Sequence, residues 1–173
     1  CVQVINPLSN DLNVMRQTVM FSGLEAIAYN INRQNSNLRL FEYGKSYRLT
    51  GKDNDKYPLN SYFEDRRFGL FLTGNKTFPG WSSPDEKVSF FELKAFCEKI
   101  VEKLGLNLSQ LEINNLSGIE DVFSGGLLYQ YNKKTLVEIG LINPILLKKF
   151  DIEQEVVFAD IRWDILLEGS DGS

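Results

Sequence analysis

Between Ser22 and Tyr43 the hydrophobic period of the chain changes once, and abruptly. Leu24, Ile27, Ala28 and Ile31 recur at i, i+3, i+4 and i+7, so they share one face of a helix. The polar run Gln34-Asn35-Ser36-Asn37 ends that pattern. Strict alternation follows, with Leu38, Leu40 and Glu42 on one face of a strand and Arg39, Phe41 and Tyr43 on the other. A one-striped helix beside a one-faced strand must share a core with it, which points to a mixed fold. Ser22 and Glu25 have the spacing of a capping box and place the helix start at Ser22.

The remaining pattern adds strands and two more helices. Ser89 and Glu92 repeat the capping box, Leu93, Phe96, Cys97, Ile100 and Leu104 line one helical face, and Gly105 suits a left-handed end. Val2 to Ile5, Arg67 to Thr73, Leu111 to Asn114 and Glu155 to Ile161 read as strands. The near-continuous apolar run Phe68 to Leu72 marks a buried one. Gly125–Tyr131 and Thr135–Ile142 read as a hairpin with Asn132-Lys133-Lys134 at its tip. Asn143 caps and Pro144 opens a short helix to about Phe150. Thr50 to Asp65 reads as an exposed loop, and Phe78 to Pro84 as a turn-rich segment with Trp81 packed down. Glu168 to Ser173 reads as a polar tail. At 173 residues and 43% apolar composition, the expectation is one α+β domain spanning 1–173, an antiparallel sheet flanked by helices. A first residue of Cys rather than Met suggests a segment excised from a longer chain.

The chain has no histidine, which excludes Ser/His/Asp and Cys/His hydrolysis and most zinc sites. Its two cysteines form no ligand cluster, and Cys97 reads as a small buried hydrophobe. Asp53 and Asp55 imitate the start of a calcium loop but lack its glycine and distal glutamate. Gly69 to Thr77 nearly spells a phosphate loop, but one extra residue displaces Lys76 and Pro79 follows where a helix should begin. Net charge is −4, and Arg66-Arg67, Lys133-Lys134 and Lys148-Lys149 read as solvated faces rather than a nucleic-acid stripe. No run can span a bilayer and no signal peptide is evident, so a soluble, cytoplasmic protein is expected. Arg16 stands in apolar context and needs a carboxylate or backbone carbonyls, which makes it a structural candidate.

Asn6-Pro7-Leu8-Ser9, Arg16, Asn30 to Arg33 and Leu38-Arg39-Leu40-Phe41-Glu42-Tyr43-Gly44 resemble the synthetase-core-like region of the bacterial phenylalanyl-tRNA synthetase beta chain. Phe90-Phe91-Glu92-Leu93-Lys94 and Ile139-Gly140-Leu141-Ile142-Asn143-Pro144 fit the same pattern in the same order. Members often carry His-Pro where Asn143-Pro144 stands; asparagine still caps a helix. The resemblance implies a class II synthetase core with an architectural role, packed on the catalytic alpha chain in a heterotetramer. It implies that ATP and magnesium serve the whole enzyme, and that tRNA is held through other domains. It makes Glu42 and Asn143 structural candidates and places the alpha chain against Met15, Val19, Met20 and Tyr29.

Class II adenylation needs an arginine over the alpha-phosphate, acids for magnesium, and a late glycine-rich strand leading into a helix. Arg39 and Glu42 echo the first element, but their odd spacing sends them to opposite faces. The stretch matching the last element, Val157 to Trp163, has no glycine, so its side chains would fill the adenine space. The expectation is therefore no catalytic, cofactor-binding or metal-ligating residue in this segment. The alternatives are an active class II adenylate-forming ligase relative and a small-ligand-binding domain.

Overall fold

A computed structural model describes residues 18–49, 62–76, 86–118 and 120–170. The elements are α1 (Met20–Ile31), β1 (Leu38–Leu49), β2 (Tyr62–Thr73), α2 (Phe90–Lys103), β3 (Glu112–Asn115), β4 (Phe123–Tyr131), β5 (Lys134–Ile142), α3 (Pro144–Lys148), β6 (Val156–Arg162) and α4 (Trp163–Ser170). The six strands form one sheet in the order β1-β2-β6-β5-β4-β3, every pairing antiparallel. This is the α+β architecture expected from the pattern. No helix among the described residues is long and apolar enough to cross a membrane.

Each sheet face buries its own core. On one face Leu72, Tyr129, Val137, Ile139, Val157, Ala159 and Ile161 pack against Leu93, Cys97 and Val101 of α2 and Leu166 of α4. On the other, Phe71, Phe123, Ile142, Val156 and Phe158 pack against Met20, Leu24 and Ile27 of α1, with Leu147 of α3. β6 lies between both cores, which is why it reads as an almost unbroken apolar run. α1 approaches the sheet closely at Gly23, where a Cβ would stand 2.0 Å from the Phe71 ring.

Several local signals hold. Ser89 Oγ accepts the Glu92 N–H at the start of α2. At its end Leu106 N–H donates to Val101 O and Gly105 N–H to Glu102 O, with Gly105 at φ +94°, a Schellman arrangement. Asn132 and Lys133 both have positive φ, the two-residue turn whose twist matches the β4–β5 hairpin. Asn143 Oδ1 accepts the Ile145 N–H and Pro144 opens α3.

Others are corrected. α1 starts at Met20, not Ser22: the helix has no side-chain cap at Val19, and Thr18 Oγ1 accepts the Met20 N–H instead. Ser22 is spent elsewhere, its one hydroxyl proton shared between Val19 O at 2.9 Å and Glu42 Oε2 of β1 at 2.7 Å. α2 is rotated from the expected face, burying Val101 beside Leu93 and Cys97 and leaving Phe96 exposed. β2 begins at Tyr62, inside the expected loop, because β1 extends to Leu49 and supplies its partner edge. α3 ends at Lys148, and Asp151 at φ +57° turns the chain toward β6. Glu168 to Ser170 of the expected polar tail are the end of α4, with Leu166 buried and Gly169 against Leu106; its last three residues lie outside the described residues. Met15, Arg16, the Val2–Ile5 strand, Asp53, Asp55 and Trp81 lie outside the described residues.

Candidate functional site

The face that carries α1 is apolar at one end and charged at the other. Alternation along β2 puts Asp65, Arg67, Gly69 and Phe71 on this face, and along β6 it puts Phe158, Asp160 and Arg162 there. Register sets Gly69 opposite Asp160, Gly44 opposite Arg67, Ser46 opposite Asp65, and Glu138 opposite Asp160. Four strands thus deliver polar groups to one patch.

The patch is closed around Arg67. Its Nη1 donates to Asp160 Oδ2 at 3.0 Å, its Nε to Ser46 Oγ at 3.1 Å, and its Nη2 lies 3.7 Å from Asp65 Oδ2. Arg67 is 6% exposed, Asp160 5%, Asp65 8% and Ser46 0%. Arg67 was expected on a solvated face; its alternation with Phe68 and Leu70 turns it inward instead. Burial is the larger influence on Asp160 and pushes its carboxyl up to about 6, against the pull of Arg67, with Glu138 raising it further and Arg162 lowering it. Asp160 Oδ1 is buried with no hydrogen-bond partner among the described residues.

The adjoining apolar end is filled. Phe158 packs on Phe71 at 4.7 Å between ring centroids and stacks on Phe123 at 6.2 Å. Phe158 thus fills the face between the two rings, beside Asp160 on the same strand. A phosphate needs an uncommitted cation, and Arg67 already faces two carboxylates. Among the described residues no three His, Cys, Asp or Glu side chains are grouped to hold a metal.

Arg39 and Glu42 point to opposite faces, as their spacing requires. Arg39 donates to Lys76 O and pairs with Glu92 at 3.5 Å; Glu42 accepts from Ser22 and ties β1 to α1. Asn143 caps α3 and also donates to Glu120 O. Val19 and Met20, expected at a subunit surface, are buried in the α1 core because the helix starts earlier than its capping box indicated. The outer stripe of α1 is Phe21, Glu25 and Tyr29 at i, i+4 and i+8. Phe21 is 47% and Tyr29 57% exposed. Phe21 stacks on Phe150, and the Arg33 guanidinium covers the Tyr29 ring at 3.5 Å. Cys97 is buried and its thiol is pushed up to about 12, first by that burial.

A six-stranded antiparallel sheet with helices on both faces is the core of a class II aminoacyl-tRNA synthetase. Two structures of the pyrrolysyl-tRNA synthetase from Desulfitobacterium hafniense share it at TM-scores of 0.61 and 0.63, with 18% and 16% identity, over 91% of this chain and 50% of theirs. The family is more specific than the fold. A family model described as the phenylalanyl tRNA synthetase beta chain CLM domain matches residues 1–163. The phenylalanine–tRNA ligase beta subunit of Bacteroides thetaiotaomicron is 44% identical over 169 residues, covering 96% of this chain and 20% of that subunit. The Porphyromonas gingivalis beta subunit is 37% identical over 171 residues, covering 98% of this chain and 21% of that subunit. This chain belongs to the phenylalanyl-tRNA synthetase beta chain CLM domain family. It spans about a fifth of the length of the curated relatives it matches.

Proposed function

We propose that this chain is a catalytically silent synthetase-fold domain of a phenylalanine–tRNA ligase beta subunit, serving to seat the catalytic alpha chain. The observation that carries this reading is the closed patch. Where class II chemistry wants a cation over phosphate and a slot for adenine, Arg67 is neutralised by Asp160 and Asp65, and Phe158 is packed on Phe71. ATP and magnesium then belong to the alpha chain, and tRNA to other domains of a longer beta chain. The assembly acts in the cytoplasm.

The alpha chain meets the outer stripe of α1. Val19 and Met20 underlie that surface rather than form it, so Phe21 and Tyr29 take their place as contacts. Two exposed aromatics one side of a helix are suited to anchor an interface of standard size, on the order of 1,600 Å². The test is reconstitution of the beta subunit with its alpha chain after Phe21→Asp and Tyr29→Asp together. Affinity should fall at least roughly a hundredfold with the domain still folded. Unchanged affinity would place the interface elsewhere.

A further inference from the structure

The sheet face opposite α1 carries a groove that the proposed alpha-chain contact leaves alone. It lies between α2 and the β1–β2 edge and encloses about 360 Å³. Leu70, Leu72, Ile100, Phe41 and Phe96 are among the side chains that line it. Phe41 is 73% and Phe96 42% exposed, although each is large and apolar.

The rim is cationic, in a chain whose balance is acidic: Arg39, Lys99 and Lys103 surround the opening. Arg39 is engaged by Glu92 and Lys76 O. Elsewhere on α2, Lys94 is satisfied by Glu98 four residues on. Lys99 and Lys103 are themselves four residues apart, a like-charge spacing that weakens a helix unless an anion lies between them. Lys103 has a local reason in the last turn of α2, where the helix dipole favours a cation, and Lys99 has Glu102 three residues on; the described residues that line the groove itself include these cations and no acid.

Resting on the beta-subunit reading above, we propose that this groove receives an acidic amphipathic segment from elsewhere in the same beta polypeptide. Its apolar side chains enter between Phe41 and Phe96, and its carboxylates bridge Lys99 and Lys103. The groove is far smaller than the surface a stable contact between separate chains requires, so an independent partner would bind it weakly. A tethered segment needs less, because the linker supplies an effective concentration near the millimolar range. The relatives are about five times as long as this chain, so most of such a polypeptide lies outside the described region.

The test uses the full-length gene product, first unmodified. Zero-length carbodiimide coupling, read by mass spectrometry, should join Lys99 and Lys103 to Asp or Glu of one segment outside residues 1–173. In Lys99→Glu/Lys103→Glu, backbone amides of that segment should exchange roughly tenfold faster, with α2 itself unaffected. Coupling only within this region, no coupling, or unchanged exchange in the variant would overturn the proposal. Coupling to the alpha chain would overturn it too, while leaving the α1 reading intact.

Discussion

Replacing Asp160 by Asn should change how the stability of this chain depends on pH. Asp160 is 5% exposed, and its carboxyl is raised from an ordinary 3.8 to about 6, mainly by burial. Below about pH 4 the carboxyl is protonated whether the chain is folded or not. Between about 4 and 6 the folded chain keeps a proton that the unfolded chain has released, so unfolding becomes easier as pH rises. A shift of roughly two units corresponds to about 3 kcal/mol. That stability is present below about pH 4 and lost once pH has passed about 6. Asparagine has the shape of the neutral acid and still accepts from Arg67, but it does not titrate. Asp65, Glu138 and the other carboxylates are common to both proteins, so their contributions largely cancel in the difference. Urea unfolding of both proteins at unit intervals from pH 4 to pH 8 gives that difference directly. The unmodified chain should lose about 3 kcal/mol relative to Asp160→Asn by pH 7. A flat difference, or a gain by the unmodified chain as pH rises, would mean that Arg67 outweighs burial and that the argument is wrong.

Two further perturbations test the packing. Gly23→Ala should destabilise the chain by about 1–3 kcal/mol in denaturant unfolding. The Phe71 ring that the new methyl meets is itself buried, and this outweighs the ~1 kcal/mol alanine gains over glycine in a helix; an unchanged midpoint would show that α1 can move off the sheet. In a Cys1→Ser background, Cys97 should react with a disulfide reagent at pH 8 at least roughly a thousandfold slower than a free thiol, until denaturant exposes it. Rapid labelling of the folded chain would refute its burial.

The sequence made legible whatever depends on neighbours along the chain. Ser89, Gly105, Asn132 and Asn143 each act within a few residues of their partners, and each does what its local pattern implied. Local signals failed at the start of α1 and where the partner is distant. Ser22-x-x-Glu25 marks a helix start, yet α1 begins at Met20, with Gly23 pressed on the Phe71 ring and Met20 in the core. Arg67 and Asp160 are 93 residues apart, so only strand register brings them together. A signal was available: a lone Asp inside Val156-Val157-Phe158-Ala159-Asp160-Ile161 is a charge in a buried strand and requires a cationic partner. The groove beside α2 was hidden because Phe96 fits the helical stripe, and its exposure depends on how α2 is rotated over the sheet.

Phenylalanine-dependent ATP–pyrophosphate exchange by the purified chain tests the silent-domain account most directly. With Arg67 held by Asp160 and Asp65, and Phe158 packed on Phe71, exchange should stay at background at every chain concentration, and Arg67→Ala should create none. Exchange that rises in proportion to the chain and disappears in Arg67→Ala would contradict the account.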